Sequence, residues 1–162
     1  MDPSFTRDAR HTDHAAIDRL LVASFGGPQE AQLVRNLRAE GAVWQETVMP
    51  WGEEAAGYLA ISRFVAPDGW LCLAPVAVHP DWQGEGRGQF MVEQAVEEFS
   101  KKLKRFMVVV GDGKFYRRCG FLATRAARLT SPYGTENTLL IGPDMSVPTE
   151  TLIYPKAFAK LT

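Results

Sequence analysis

Pro75-Val76-Ala77-Val78-His79-Pro80-Asp81-Trp82-Gln83-Gly84-Glu85-Gly86-Arg87-Gly88-Gln89-Phe90 carries the chain from an apolar strand-like segment, through a turn, into three glycines two apart, and then into a helical pattern. Glycine loses more backbone freedom on folding than any other residue, so such a cluster is costly unless the backbone must take positive φ or approach something closely. Behind it Phe90, Met91, Val92, Ala95, Val96, Phe99 and Leu103 recur at helical spacing, which predicts an amphipathic helix from about Gly86 to Lys101–Lys104. The first turn of that helix leaves N–H groups unpaired at the positive end of the helix dipole, an anion site made without a lysine. A pyrophosphate fits this description. A flexible surface loop ahead of a helix is the competing reading.

Other phosphate-binding patterns fail on spacing. No Gly-x-x-x-x-Gly-Lys run followed by Ser or Thr exists in the sequence. The dinucleotide pattern Gly-x-Gly-x-x-Gly is missed, because Gln89 follows Gly84-x-Gly86 where a third glycine belongs and Met91 follows Gly86-x-Gly88.

Working outward, Phe5 to Ala9 alternates as a short edge strand, and Thr12 is placed to cap a helix running from about Asp13 to Phe25. Gly26-Gly27-Pro28 ends it, and a second helix over Gln29 to Glu40 stops at Gly41. Val43 to Met49, Ala55 to Val65 and Leu71 to Val78 read as strands separated by Pro50-Trp51-Gly52 and Pro67-Asp68-Gly69, an antiparallel meander. Beyond the motif helix, Phe106 to Val110 is a continuous apolar run suited to a buried strand, joined to the preceding strand by a helical and therefore parallel crossover. A short helix over about Lys114 to Cys119 closes at Gly120, and the remainder reads as late strands linked by turns. The fold class is α/β (α+β): a mixed, mostly antiparallel sheet with one parallel crossover and helices on both faces. Nothing marks a domain boundary, so residues 1–162 are expected to form a single domain.

With 18 Lys+Arg against 19 Asp+Glu the net charge is -1, which provides no field for gathering nucleic acid or an anionic membrane. Cys72 and Cys119 are too few for a disulfide framework and suit a reducing compartment, so a cytoplasmic location is expected. The N-terminal residues lack an apolar signal core and no stretch has the length to span a bilayer, so a soluble, unprocessed chain is expected. His11-x-x-His14 lacks a third ligand in view and predicts no metal site.

The turn Gln83-Gly84-Glu85-Gly86-Arg87-Gly88 matches the Gln/Arg-x-x-Gly-x-Gly/Ala signature of the GCN5-related N-acetyltransferase (GNAT) superfamily, placed as there after a strand. Downstream, Gly111-Asp112-Gly113-Lys114-Phe115-Tyr116-Arg117-Arg118-Cys119-Gly120-Phe121 resembles the superfamily's second landmark, a short helix whose Tyr is followed four residues later by Gly-Phe. The likeness extends over nearly the whole chain and is greatest to the small bacterial branch of predicted N-acetyltransferases. Arg118-Cys119 departs from the Arg-Phe usual there.

This resemblance implies the acyl-CoA N-acyltransferase fold, acetyl-CoA as cosubstrate and an amine as acceptor, either a small molecule or a peptide. It implies that the backbone of Gly84, Glu85, Gly86, Arg87 and Gly88 holds the CoA pyrophosphate, with Gln83 opening the turn and Arg87 adding a side-chain contact. Val76, Ala77 and Val78 are implied to pair their backbone with the pantetheine arm, as in strand addition. Tyr116 is the implied general acid toward the departing thiolate, since a phenol near pKa ~10 stays protonated at neutral pH. Packing alone is the other reading of Tyr116. For the base, His79, Glu30, Glu46 and Asp112 all stay open, and Phe25, Trp44, Trp51 and Tyr133 are candidates for an acceptor cleft. Because no base stands out, a CoA-binding regulatory or inactive module without transfer activity is the alternative function. The sequence does not fix the oligomeric state; a homodimer is the assembly it leaves open, dimers being the commonest.

Overall fold

The computed structural model of the protein describes residues 1–160. Six strands form one sheet in sequence order: β1 (Arg7–Asp8), β2 (Val43–Trp51), β3 (Glu54–Arg63), β4 (Leu71–Val78), β5 (Met107–Val110) and β6 (Thr138–Ile141). Every neighbouring pair is antiparallel except β4 and β5, which run parallel. The crossover between them is α3 (Arg87–Val96), which continues through a π-helical turn at Glu97–Lys101. The predicted mixed sheet with one parallel crossover is therefore present.

Helices α1 (His14–Phe25) and α2 (Gln29–Glu40) lie on one face of the sheet, where Ile17, Leu20, Leu21 and Val34 pack on Val48, Tyr58 and Ala77. On the other face α3 presses Met91, Val92, Ala95 and Val96 onto Leu59, Leu73, Met107 and Val109. Alternation along the strands supplies both faces: in β4, Cys72 joins the cluster under α2 while Leu71 and Leu73 join the cluster under α3. Closing the far end, α4 (Gly113–Arg118) is followed by Phe121, which is fully buried.

Some sequence expectations shift in the structure. Thr12 does not cap α1. Instead a 3-10 turn over His11–Asp13 precedes the helix, and the Asp13 carboxylate accepts from the Arg10 backbone N–H at 2.7 Å and from Arg7 at 2.7 and 2.9 Å. The Asp13 carboxylate thus closes the 3-10 turn and binds a guanidinium, and α1 itself starts without a side-chain cap. β2 runs through Pro50 to Trp51, because the register slips between Met49 and Pro50 and Pro is tolerated at such a bulge. The two-residue turn to β3 has Gly52 at φ 61°, the first-position glycine of a type II′ hairpin. Only β6 is a full strand among the predicted late strands. The rest is irregular chain stitched by single bridges, Ala66 to Ile153 and Thr130 to Thr151.

Beneath α2 lies a half-buried ionic group. Arg38 donates to both Glu46 oxygens, the nearest contact being 2.8 Å, and the Tyr58 hydroxyl donates to Glu46 at 2.6 Å. These partners outweigh burial and hold the Glu46 carboxyl below its ordinary range.

Candidate functional site

β4 and β5 pair only at Leu71 with Met107 and Cys72 with Val108, and then diverge. Beyond that point the β4 backbone faces a gap. His79 N–H bonds the Ala56 carbonyl at 2.8 Å, so Gly57 and Val78 are the kind of antiparallel pair whose own peptide groups point away from each other. Val78, and by alternation Val76, turn their N–H and C=O groups toward the gap. Ala77 does the opposite: its backbone belongs to β3 and its side chain is buried under α1.

At the end of β4 the chain enters the glycine turn. Gly84 and Gly86 have φ of 82° and 83°, a conformation that favours glycine over any residue with a Cβ. Gly86 immediately precedes α3, so the N–H groups of Arg87, Gly88 and Gln89 open the helix without partners one turn back. Gly88 is not demanded by crowding: a Cβ there would make ordinary van der Waals contacts, 3.4 Å from the Phe115 ring and 3.5 Å from Val78. The turn is tied to the strand because Gln83 Nε2 donates to the Val78 carbonyl at 2.8 Å, and Ser24 Oγ reaches the same oxygen at 3.2 Å.

A cleft of about 520 Å³ opens over this turn, lined by Val76, Val78, the three glycines, Phe115, Tyr116 and Arg118. Its dimensions and composition suit a diphosphate with an apolar arm: amides at a helix start at one end, and at the other a strand whose Val76 peptide groups and Val78 N–H face the gap. Glu85 points away and pairs with Arg87 at 3.2 Å. The Arg87 guanidinium is turned inward, over the Trp82 ring at 4.9 Å and toward the Trp82 and Pro3 carbonyls. Arg118 lies on the cleft with its guanidinium 5.7 Å from the Phe115 ring.

Thus, of the residues singled out in the sequence, Val76, Val78, Gln83, Gly84, Gly86, Arg87, Gly88 and Tyr116 line one cleft, whereas the Ala77 and Glu85 side chains stay outside it. Sequence reasoning missed Ser24, Phe115 and Arg118. Arg118 carried a signal, a cation beside the Tyr116 landmark, whereas Ser24 had none.

Tyr116 stands where this cleft meets a second one of about 440 Å³, which enters between the diverging strands; the two share Val76, Phe115 and Tyr116. The ring packs against Phe115, Phe121 and Gly111, where a Cβ would come within 2.9 Å of it. Burial first, then the nearness of Cys119 and Asp112, pushes its phenol up to about 12.

The four candidate bases separate by position. Glu30 and Asp112 line the second cleft. Asp112 already accepts the Lys114 backbone N–H at 2.9 Å as the cap of α4. His79 accepts the Asp81 N–H at 3.1 Å and lies 5.8 Å from Trp51, while Glu46 is locked in the group under α2. Phe25 lines the second cleft and Tyr133 a third, but Trp44 packs on Phe99 and Trp51 on Trp82. Among the described residues no group of three or more His, Cys, Asp or Glu is arranged to hold a metal ion, and no helix is long and apolar enough to cross a membrane.

A family model for the acetyltransferase (GNAT) domain matches residues 40–122, a span from the end of α2 through the glycine turn and Tyr116. An uncharacterized N-acetyltransferase of Escherichia coli strain K12, YhbS, is 32% identical over 114 residues, 67% of this chain and 68% of that protein. The crystal structure of Escherichia coli YhbS in complex with CoA is similar with a TM-score of 0.86 at 26% identity, covering 98% of this chain and 95% of that one. A GNAT family acetyltransferase from Brucella melitensis in complex with acetyl-CoA gives a TM-score of 0.79 at 26% identity, covering 95% and 97%. With two motifs, one fold and a family match over half its length in agreement, the chain belongs to the GNAT family of acetyltransferases.

Proposed function

We propose that this chain, acting as one domain, transfers the acetyl group of acetyl-CoA to a primary amine by direct attack on the thioester. The observation that carries the reading is the junction at Tyr116, where the cleft over the glycine turn meets the cleft between β4 and β5. The N–H groups of Gly84 to Gly88 and the α3 N-terminus hold the pyrophosphate, with Arg118 as the side-chain cation at the cleft. Val76 offers both of its gap-facing peptide groups to the pantetheine arm, in the manner of an added strand, and Val78 its N–H, the Val78 carbonyl being held by Gln83 and Ser24. This brings the thioester to the junction.

The amine nitrogen attacks the carbonyl carbon from the second cleft, forming the C–N bond, and the carbonyl oxygen takes the negative charge beside the Val78 N–H. A donor fixed in a strand needs no reorganisation as that charge develops. The C–S bond then breaks, and Tyr116 gives its phenolic proton to the sulfur. Glu30, whose carboxylate makes no hydrogen bond among the described residues, receives the proton released by the amine, directly or through water. Location in the cytoplasm and assembly as a homodimer complete the proposal. Near-neutral net charge supports an acceptor other than nucleic acid.

Calorimetric titration with acetyl-CoA, followed by thiol release across an amine panel, tests the reading. Binding together with amine-dependent release is expected. Binding without release from any amine would assign the chain instead to the CoA-binding modules that lack transfer.

A further inference from the structure

The second cleft continues into a third of about 190 Å³, and the two share Leu73, Ala74 and Val110. This third cleft is walled by aromatic rings: Tyr133 meets Tyr154 edge to face with centroids 4.9 Å apart, and Tyr154 meets Phe158 at 5.3 Å. Its size is close to that of the ~150 Å³ apolar cavity that takes up a benzene ring. Three large apolar side chains that the fold leaves open to solvent, Phe25, Val110 and Tyr133, stand on the second and third clefts. Exposed apolar surface concentrated around one groove marks a ligand site.

The charges have one sign. Glu30 and Asp112 line the second cleft, and no Lys or Arg among the described residues lines either. A cation is favoured at the Tyr116 end and an anion is rejected from both clefts.

We infer that the acceptor is a primary amine carrying an aromatic ring, its ammonium group drawn to Glu30 and Asp112 and its ring seated against Tyr133, Tyr154 and Phe158. The inference rests on the acetyl-transfer reading for where the amine is used, but binding of the ring-bearing amine is measurable without turnover. An incoming ring extends the existing edge-to-face series, the arrangement aromatic groups prefer. A polyamine has no ring to seat there, and its further positive charges meet no carboxylate in the third cleft.

The test titrates the CoA-saturated protein with 2-phenylethylamine, butylamine, spermidine and 3-phenylpropionate. The tripeptide Phe-Ala-Ala presents the same ring and amine at a peptide start. At least one ring-bearing amine, free or peptidic, is expected to bind ten-fold or more tightly than butylamine, spermidine and 3-phenylpropionate. Tyr133→Ala and Phe158→Leu should each reduce that margin about five-fold while leaving CoA affinity unchanged. Equal or tighter binding of butylamine or spermidine, or a margin unmoved by both substitutions, would overturn the inference. Ring-selective binding without acetyl transfer would sink the catalytic reading and leave this one standing; transfer to every amine regardless of the ring would do the reverse.

Discussion

Gln83 donates its side-chain amide to the Val78 carbonyl across 2.8 Å, tying the first residue of the glycine turn to the last residue of the strand it leaves. The bond fixes the turn against the gap and occupies one of the β4 peptide groups that face it. Gln83→Leu should lower stability by about 1 kcal/mol or less, the usual worth of one such bond, and should weaken CoA binding more than that. Thermal unfolding beside CoA titration separates the two effects.

The glycines of the turn serve different ends, so alanine should tell them apart. Gly86→Ala has open space around it but must hold a Cβ at φ 83°, at a cost of about 1–2 kcal/mol of folding stability. Gly88→Ala meets only ordinary contacts with Phe115 and Val78, so its melting temperature should stay near that of the parent. Its methyl group nevertheless enters the cleft, and CoA affinity should fall ten-fold or more.

Tyr116→Phe removes a hydroxyl and keeps the ring that packs on Phe115 and Phe121. Since a thiol with an ordinary pKa of about 8.5 is a fair leaving group, the loss in kcat should be about 10- to 100-fold, toward the low end for general acids, with KM for acetyl-CoA little changed. Because the phenol is pushed up to about 12, it stays protonated throughout the range in which amines lose their protons. The rate should therefore rise with pH as the amine deprotonates, without a falling limb from Tyr116 below about 11.

Asp13 provides a prediction outside the site. Hydrogen bonds from Arg7 hold its carboxyl down at about 2, against an ordinary value of 3.8. A depressed carboxyl stabilises the fold fully above its unfolded value and loses that contribution as the pH falls through the folded one. Asp13→Asn should cost about 1 kcal/mol near neutral pH, and its denaturation curve should merge with the parent's as the pH drops from about 4 to about 2.

Much of this was legible in the sequence because the signals were local. The Leu71 to Val78 strand, the stop of α2 at Gly41 and the positive φ of the turn glycines all follow from residues acting on their own backbone. Thr12 and Pro50 were misread where a contact between segments decides: Arg7 draws the neighbouring Asp13 carboxylate, and a register slip against β3 admits the proline. The cleft shows the same division. Gly84, Gly86 and Tyr116 announced themselves by motif, but Ser24 reaches it only because α1 packs over β4, and the pattern of a helix interior holds no record of that. Trp44 and Trp51 looked equivalent to Phe25 and Tyr133 in composition, yet their rings are used against Phe99 and Trp82.

The two-pair junction of β4 with β5 bears on how such a chain can vary. A wedge opened by diverging strands is defined by direction and length, and what it offers a guest are amides and carbonyls that every residue but proline possesses. Substitution along its walls then leaves the opening intact provided the strands still part at the same place. On that basis two chains can share a backbone at a TM-score of 0.86 with only 26% of their residues in common, and can still diverge in the aromatic lining that selects what comes to meet the thioester.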